Sequence, residues 1–141
     1  MSMLGEYSMS VLVLVVDDDP KRMERVRRLV AGEGADTVTA SDSREAMRHF
    51  VRREPDLALL HVDRSDEISL TLCRDMKGVG VGRRRSIVVV APRASRSAAF
   101  EAGCDVFVEQ RPDDGSLLRA VRSFLASHRR PKRIAAITLS P

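Results

Sequence analysis

Six consecutive apolar residues, Val11 to Val16, run directly into three aspartates, Asp17 to Asp19. A run this short and this rich in β-branched side chains fits a strand buried on both faces, and such strands belong to parallel sheets covered by helices. It is also far too short to cross a bilayer. The pattern recurs as LALLHV at 57–62 and IVVVA at 87–91, and more weakly as DTVTA at 36–40 and DVFV at 105–108. Between these runs the apolar period changes to that of a helix. Met23, Val26, Leu29 and Val30 form a stripe after Pro20 that ends at Gly32 or Gly34. Ala46, Met47, Phe50 and Val51 follow the candidate caps Ser41 and Ser43 and end before Pro55; Ile68, Leu72, Cys73 and Met76 make a third stripe. A small-residue stretch at 95–102, closed by Gly103, precedes a last stripe of Leu117, Leu118, Val121, Phe124 and Leu125. Five such βα units predict a three-layer α/β sandwich, a doubly wound parallel sheet with helices on both faces.

A chain of 141 residues has room for one such core. The expected organisation is a loose N-terminal tail at 1–9, one domain at 10–127 and a basic tail at 128–141. Cys73 and Cys104 are too few for a disulfide framework and lack metal-ribbon or redox spacing, so they read as free core thiols of a cytoplasmic protein. The first residues lack the basic start and small-residue cleavage site of a secretory signal, and no span for a membrane is expected. The net charge of +4 raises the question of nucleic acid, but the 24 basic residues, lysine only at 21, 77 and 132, are spread along the chain. The two local clusters, Arg83 to Arg85 and His128 to Arg133, have no interleaved aromatics, so solvated surface is the preferred reading over nucleic-acid contact. His49 and His128 are likewise expected on the surface.

In doubly wound sheets the functional crevice lies beyond the carboxyl ends of the strands. The residues there are Asp17, Asp18 and Asp19 after the first strand, His61 and Asp63 at the third, Ala91 at the fourth and Gln110 after the fifth. Asp19, directly before Pro20, reads as a helix cap. Asp17 and Asp18 repel each other unless a cation sits beside them, and Mg²⁺ suits such a pair.

These residues resemble the receiver domain of bacterial response regulators. VLVVDDDP at 13–20 resembles that family's first strand with its acidic pair, PDLALL at 55–60 its third strand, and EAGCDVFVEQ at 101–110 the approach to its fifth. The resemblance covers Val11 to about Leu125 and implies a flavodoxin-like fold with strand order 2-1-3-4-5. It further implies that Asp17 and Asp18 hold Mg²⁺, that Phe107 is the aromatic switch position, and that a protein partner or a second copy docks on the face of the fourth helix, fifth strand and fifth helix. Three positions depart from the family pattern. The phosphoacceptor position is His61, the hydroxyl switch position is Ala91, and the lysine position is Gln110, with Arg111-Pro112 standing in only across an insertion.

The chain therefore reads as a degenerate, stand-alone receiver, not an enzyme, that acts by protein contact in a signalling pathway without a phosphorylation cycle. In this reading a protonated His61 pairs with Asp17 or Asp18 in place of the metal, and Phe107 packs instead of switching. One alternative makes Asp63, two residues past His61 and on the same side of the strand, a displaced phosphoacceptor. Another is a metal or small-ligand site in which Asp17, Asp18 and His61, with Asp63 as a further candidate, bind Zn²⁺ or Mn²⁺. The Arg129 to Arg133 spacing also resembles the entry arm of PilZ-type cyclic-di-GMP-binding domains, a hint of a longer parent chain.

Overall fold

The five apolar runs form β1 (Leu12–Val16), β2 (Asp36–Ala40), β3 (Leu57–His61), β4 (Ser86–Ala91) and β5 (Val106–Glu109). They pair side by side, all parallel, in the order β2-β1-β3-β4-β5. The helices between and after them are α1 (Pro20–Gly32), α2 (Ser43–Arg53), α3 (Glu67–Gly78), α4 (Arg96–Glu101), which follows a single 3₁₀ turn at Arg93–Ser95, and α5 (Gly115–His128). This architecture is that of a computed structural model, which describes residues 10–63, 67–79 and 85–128. The expected tail at 1–9, most of the basic tail with its Arg129 to Arg133 spacing, Arg83 and Arg84, and the side chain of Ile68 lie outside the described residues.

Strand alternation divides the core in two. Val13, Val15, Leu57, Leu59, Val88, Val90 and Val108 face α1 and α5, where they meet Val26, Val30, Leu117, Val121 and Leu125. Their neighbours Leu14, Leu60, Ile87, Val89 and Ala91 face the other way, onto Ala46 and Phe50 of α2, Leu72, Cys73 and Met76 of α3, and Ala99 of α4. Both faces of the central strands are therefore dry, which explains why their sequences are continuously rather than alternately apolar.

Local signals set the element ends. The Asp19 side chain accepts from the amides of Lys21 and Arg22 and so caps α1, and Asp42, rather than Ser41 or Ser43, caps α2 through the Glu45 amide. Gly34 and Gly103 adopt positive φ of 97° and 105° just past α1 and α4, where a side chain would be strained. β5 begins one residue later than the apolar pattern suggests, because the Asp105 carboxylate is engaged by the Ile87 amide at 2.7 Å and by the Lys77 ammonium at 2.7 Å. One expected core position is corrected: Val51 is exposed, since the buried stripe of α2 is only as wide as Ala46 and Phe50. Cys73 and Cys104 are free and buried as expected, and burial pushes their thiols up to about 12 and about 11, which leaves them poor nucleophiles. Among the described residues, no helix is long and apolar enough to cross a membrane.

Candidate functional site: an arginine held between two strand-end aspartates

Asp17 directly follows β1 and continues the side of Val13 and Val15; His61 ends β3 on the side of Leu57 and Leu59, and Asp63 repeats that parity two residues on. All three thus open toward α1. The Asp17 carboxylate is 2% exposed and is fully engaged. It accepts from the Asp19 amide at 2.9 Å, from Arg22 Nε at 2.7 Å and from Arg22 Nη2 at 2.7 Å. The same guanidinium donates from Nη1 to Asp63 Oδ1 at 2.9 Å and from Nη2 to Asp63 Oδ2 at 3.2 Å. Arg22 is therefore a forked bridge between two carboxylates, the geometry its planar donor set suits best. The carboxylates in turn hold its pKa well above the usual arginine value, with Asp17 as the main cause.

Asp18 is not part of this cage. Its side chain is 79% exposed, and its nearest carboxylate oxygen lies 3.9 Å from Arg22 Nη2. The acidic pair expected from the sequence is thus split: Asp17 is buried against Arg22, and Asp18 faces solvent.

His61 is the second tenant of the crevice. Its side chain is 8% exposed, and Nδ1 lies 3.7 Å from Asp17 Oδ2, too far for a good hydrogen bond. The expectation of a protonated His61 as counter-ion is corrected here. Burial lowers its pKa, and the positive charges of Arg22 and Arg25 add to that, outweighing Asp17 and Asp63. The neutral imidazole is the stable form chiefly because the ring is buried, and the neighbouring Arg22 charge adds to that.

The remaining positions hold no charge at the centre. Ala91 is fully buried against the α2–α4 side of the sheet. The Gln110 amide donates to the Ala91 carbonyl at 2.8 Å, while Gln110 Oε1 and His61 Nε2 are buried with no hydrogen-bond partner among the described residues. Arg111 pairs with Glu109 at 3.2 Å rather than with Asp17 or Asp63. Phe107 lies half-buried against Phe100, ring centroids 6.4 Å apart, with the Arg96 guanidinium over both rings. The ring is partly buried against the core layer under α2–α4.

Between His61, Gln110, Arg22 and the start of α5 lies a cavity of about 40 Å³, small beside ligand pockets of roughly 300–1,000 Å³. A larger open groove of about 580 Å³ runs along the outside of α1 and shares only Arg25 with the crevice. Among the described residues no three His, Cys, Asp or Glu side chains are grouped to hold a metal, so the mixed Zn²⁺ or Mn²⁺ set is not assembled.

Arg22 is the functional residue that sequence reasoning missed. A signal for it does exist: a basic side chain in the first turn of a helix opposes the helix dipole, so it calls for nearby carboxylates. Lys21 carries the same signal, and only the packing of α1 over the end of β1 distinguishes the two.

The buried neutral imidazole gives a pH dependence with a definite sign. In the unfolded chain histidine takes up a proton near pH 6.5, whereas folded His61 resists protonation until lower pH. Its contribution to stability is therefore full above that unfolded value and is lost as pH falls from there toward the lowered folded pKa. Thermal unfolding at pH 7.5 and pH 5.5 should show a lower midpoint at the acidic pH in the wild type and a smaller difference in His61→Gln. Equal pH dependence in both would contradict the buried neutral form.

The comparisons with known proteins agree with this arrangement of strands. Residues 13–122 match the family model of the response regulator receiver domain. Response regulator MprA of Mycobacterium tuberculosis is 31% identical over 143 aligned positions, covering 94% of this chain and 61% of its own length. Response regulator PleD of Caulobacter vibrioides is 30% identical over 118 positions, covering 82% of this chain and 26% of its own. The chain thus spans 61% of the length of the first of these curated relatives and 26% of the second. Among solved structures, the signal receiver domain of a histidine kinase from Syntrophus aciditrophicus superposes with a TM-score of 0.74 at 24% identity, covering 89% of this chain and 97% of the other. Response regulator TrrA from Thermotoga maritima, solved in complex with Mg²⁺ and BeF, gives 0.72 at 22% identity, covering 82% and 99%. With the sheet order, the acidic strand end and the matched 110-residue span in agreement, the chain belongs to the response regulator receiver domain family, the signal-transduction modules of two-component systems.

Proposed function

We propose that this receiver domain signals by protein contact in a single standing state, without a phosphorylation cycle. The observation that carries this reading is the end of β3, where an imidazole occupies the position that a phosphate-accepting carboxylate takes in the family. Aspartyl phosphorylation needs a carboxylate nucleophile, a cation free to neutralise the phosphoryl oxygens, and a donor for the charge that develops. Here His61 is neutral, Ala91 has no hydroxyl, Gln110 has no charge, and the Arg22 guanidinium is already committed to Asp17 and Asp63. Asp63 as a displaced acceptor is disfavoured for the same reason: both of its oxygens accept from Arg22.

The partner-docking face in this reading is α4–β5–α5. Phe100 and Val106 are exposed there, and Arg96 lies over the Phe100 ring, an apolar and cationic mixture suited to a protein surface. Either a signalling partner or a second copy of the chain fits that face. Nucleic acid is disfavoured in this reading, since the basic residues are spread along the chain rather than gathered on one segment.

The direct test is to incubate the protein with a small phosphodonor and Mg²⁺ and to weigh it intact. No stable phosphoryl adduct is expected. An adduct that disappears in Asp63→Asn would overturn the proposal and establish the displaced acceptor.

A further inference from the structure

We propose that the Arg22 guanidinium is the resident cation of this crevice, standing where a divalent metal would neutralise the acidic strand end and excluding that metal. The inference rests on the receiver reading above and adds what holds the site in one state. The Asp17 carboxylate is buried, and a buried carboxylate is held only with a cation and hydrogen-bond donors beside it. Arg22 meets that need with two 2.7 Å donors on two different oxygens, and the Asp19 amide takes a further lone pair of Oδ1. Asp63, a half-exposed carboxylate beside it, has both oxygens on the same guanidinium. Asp18 points to solvent.

A metal entering here would have to displace a cation that is covalently tethered and therefore always present at high local concentration. Mg²⁺ also sheds its waters reluctantly and demands a near-octahedral set of oxygens. Arginine cannot deprotonate to make way, so no accessible pH vacates the site. The residues do not fit the family's Mg²⁺ while Arg22 is in place. Because Arg22 belongs to α1 while Asp17 follows β1 and Asp63 follows β3, the bridge also ties Asp63 to α1. In this chain that tie needs neither metal nor phosphate.

The proposal predicts a latent metal site that appears only when the arginine is removed. The full chain, Arg22→Met and the milder Arg22→Gln are titrated with MnCl₂ by calorimetry and by the EPR signal of free Mn²⁺, with thermal midpoints recorded with and without the ion. The wild type is expected to give no binding and no midpoint shift. The variants are expected to bind Mn²⁺ with a midpoint rise of several degrees, lost again when Asp17→Asn is added. Mn²⁺ binding by the wild type that vanishes in Asp17→Asn would overturn the proposal, and so would a folded Arg22 variant that binds none. Should neither variant fold, the wild-type arm decides in the same way. A wild type that binds Mn²⁺ but accepts no phosphoryl group would sink this inference alone; one that is phosphorylated would sink the signalling reading instead.

Discussion

Arg22→Met should destabilise the domain by an amount at the lower end of the about 3–5 kcal/mol seen when one partner of a buried ion pair is removed. The size follows from what is left behind. Asp17 would remain 2% exposed with only the Asp19 amide to satisfy it, while Asp63, half-exposed, would simply turn to water. The lower end applies because the outer edge of Arg22 already meets solvent, its side chain being 15% exposed. Urea unfolding measures the loss. The double variant Asp17→Asn with Arg22→Met should recover most of it, because removing both charges leaves nothing buried and uncompensated. Asp63→Asn alone should cost far less than Arg22→Met. Equal losses in the single and double Arg22 variants would show that the arginine acts through packing of its stem rather than through its charge.

Phe50→Ala should cost about 3–5 kcal/mol, lowering the thermal midpoint by roughly 10–20 °C. Phe50 is completely buried on α2 among Leu14, Leu60 and Met76 of the same core layer, and truncation would leave a cavity that the rigid sheet cannot close. The adjacent Val51 provides the control. It is exposed, so Val51→Ala should stay within about 0.5 kcal/mol of the wild type. The two residues are neighbours in sequence and alike in hydropathy. A similar cost for both would mean that the α2 face is covered in solution.

Much of the architecture is legible in the amino-acid sequence. Continuous apolar runs such as Val13 to Val16 and Leu57 to Leu60 can be satisfied only between two helical layers, and the observed sheet has those layers. The capping role of Asp19 was readable from its place before Pro20. The site was legible in part. Period-two alternation was enough to bring Asp63 round to the side of His61, and both now face Arg22 or its partners. What could not be read was which of three consecutive aspartates turns inward. Strand parity favours Asp17, but its burial depends on a counter-ion supplied by α1, five residues later in the chain and across a helix cap. The charge of His61 is not legible in the sequence either. A histidine beside an aspartate reads as a cation, but the burial of the ring, aided by the nearby Arg22, favours the neutral form.

The amino-acid sequence by itself determined the alternation of strands and helices, the acidic strand end and the absence of a carboxylate, a hydroxyl and a lysine at three positions of the crevice, because these depend only on residue type and spacing. The tertiary structure decided the state of the site. The crossing of α1 over the ends of β1 and β3 brings one guanidinium within 2.9 Å of both Asp17 and Asp63, and that bridge, together with the burial of His61, fixes the charges at the end of the sheet.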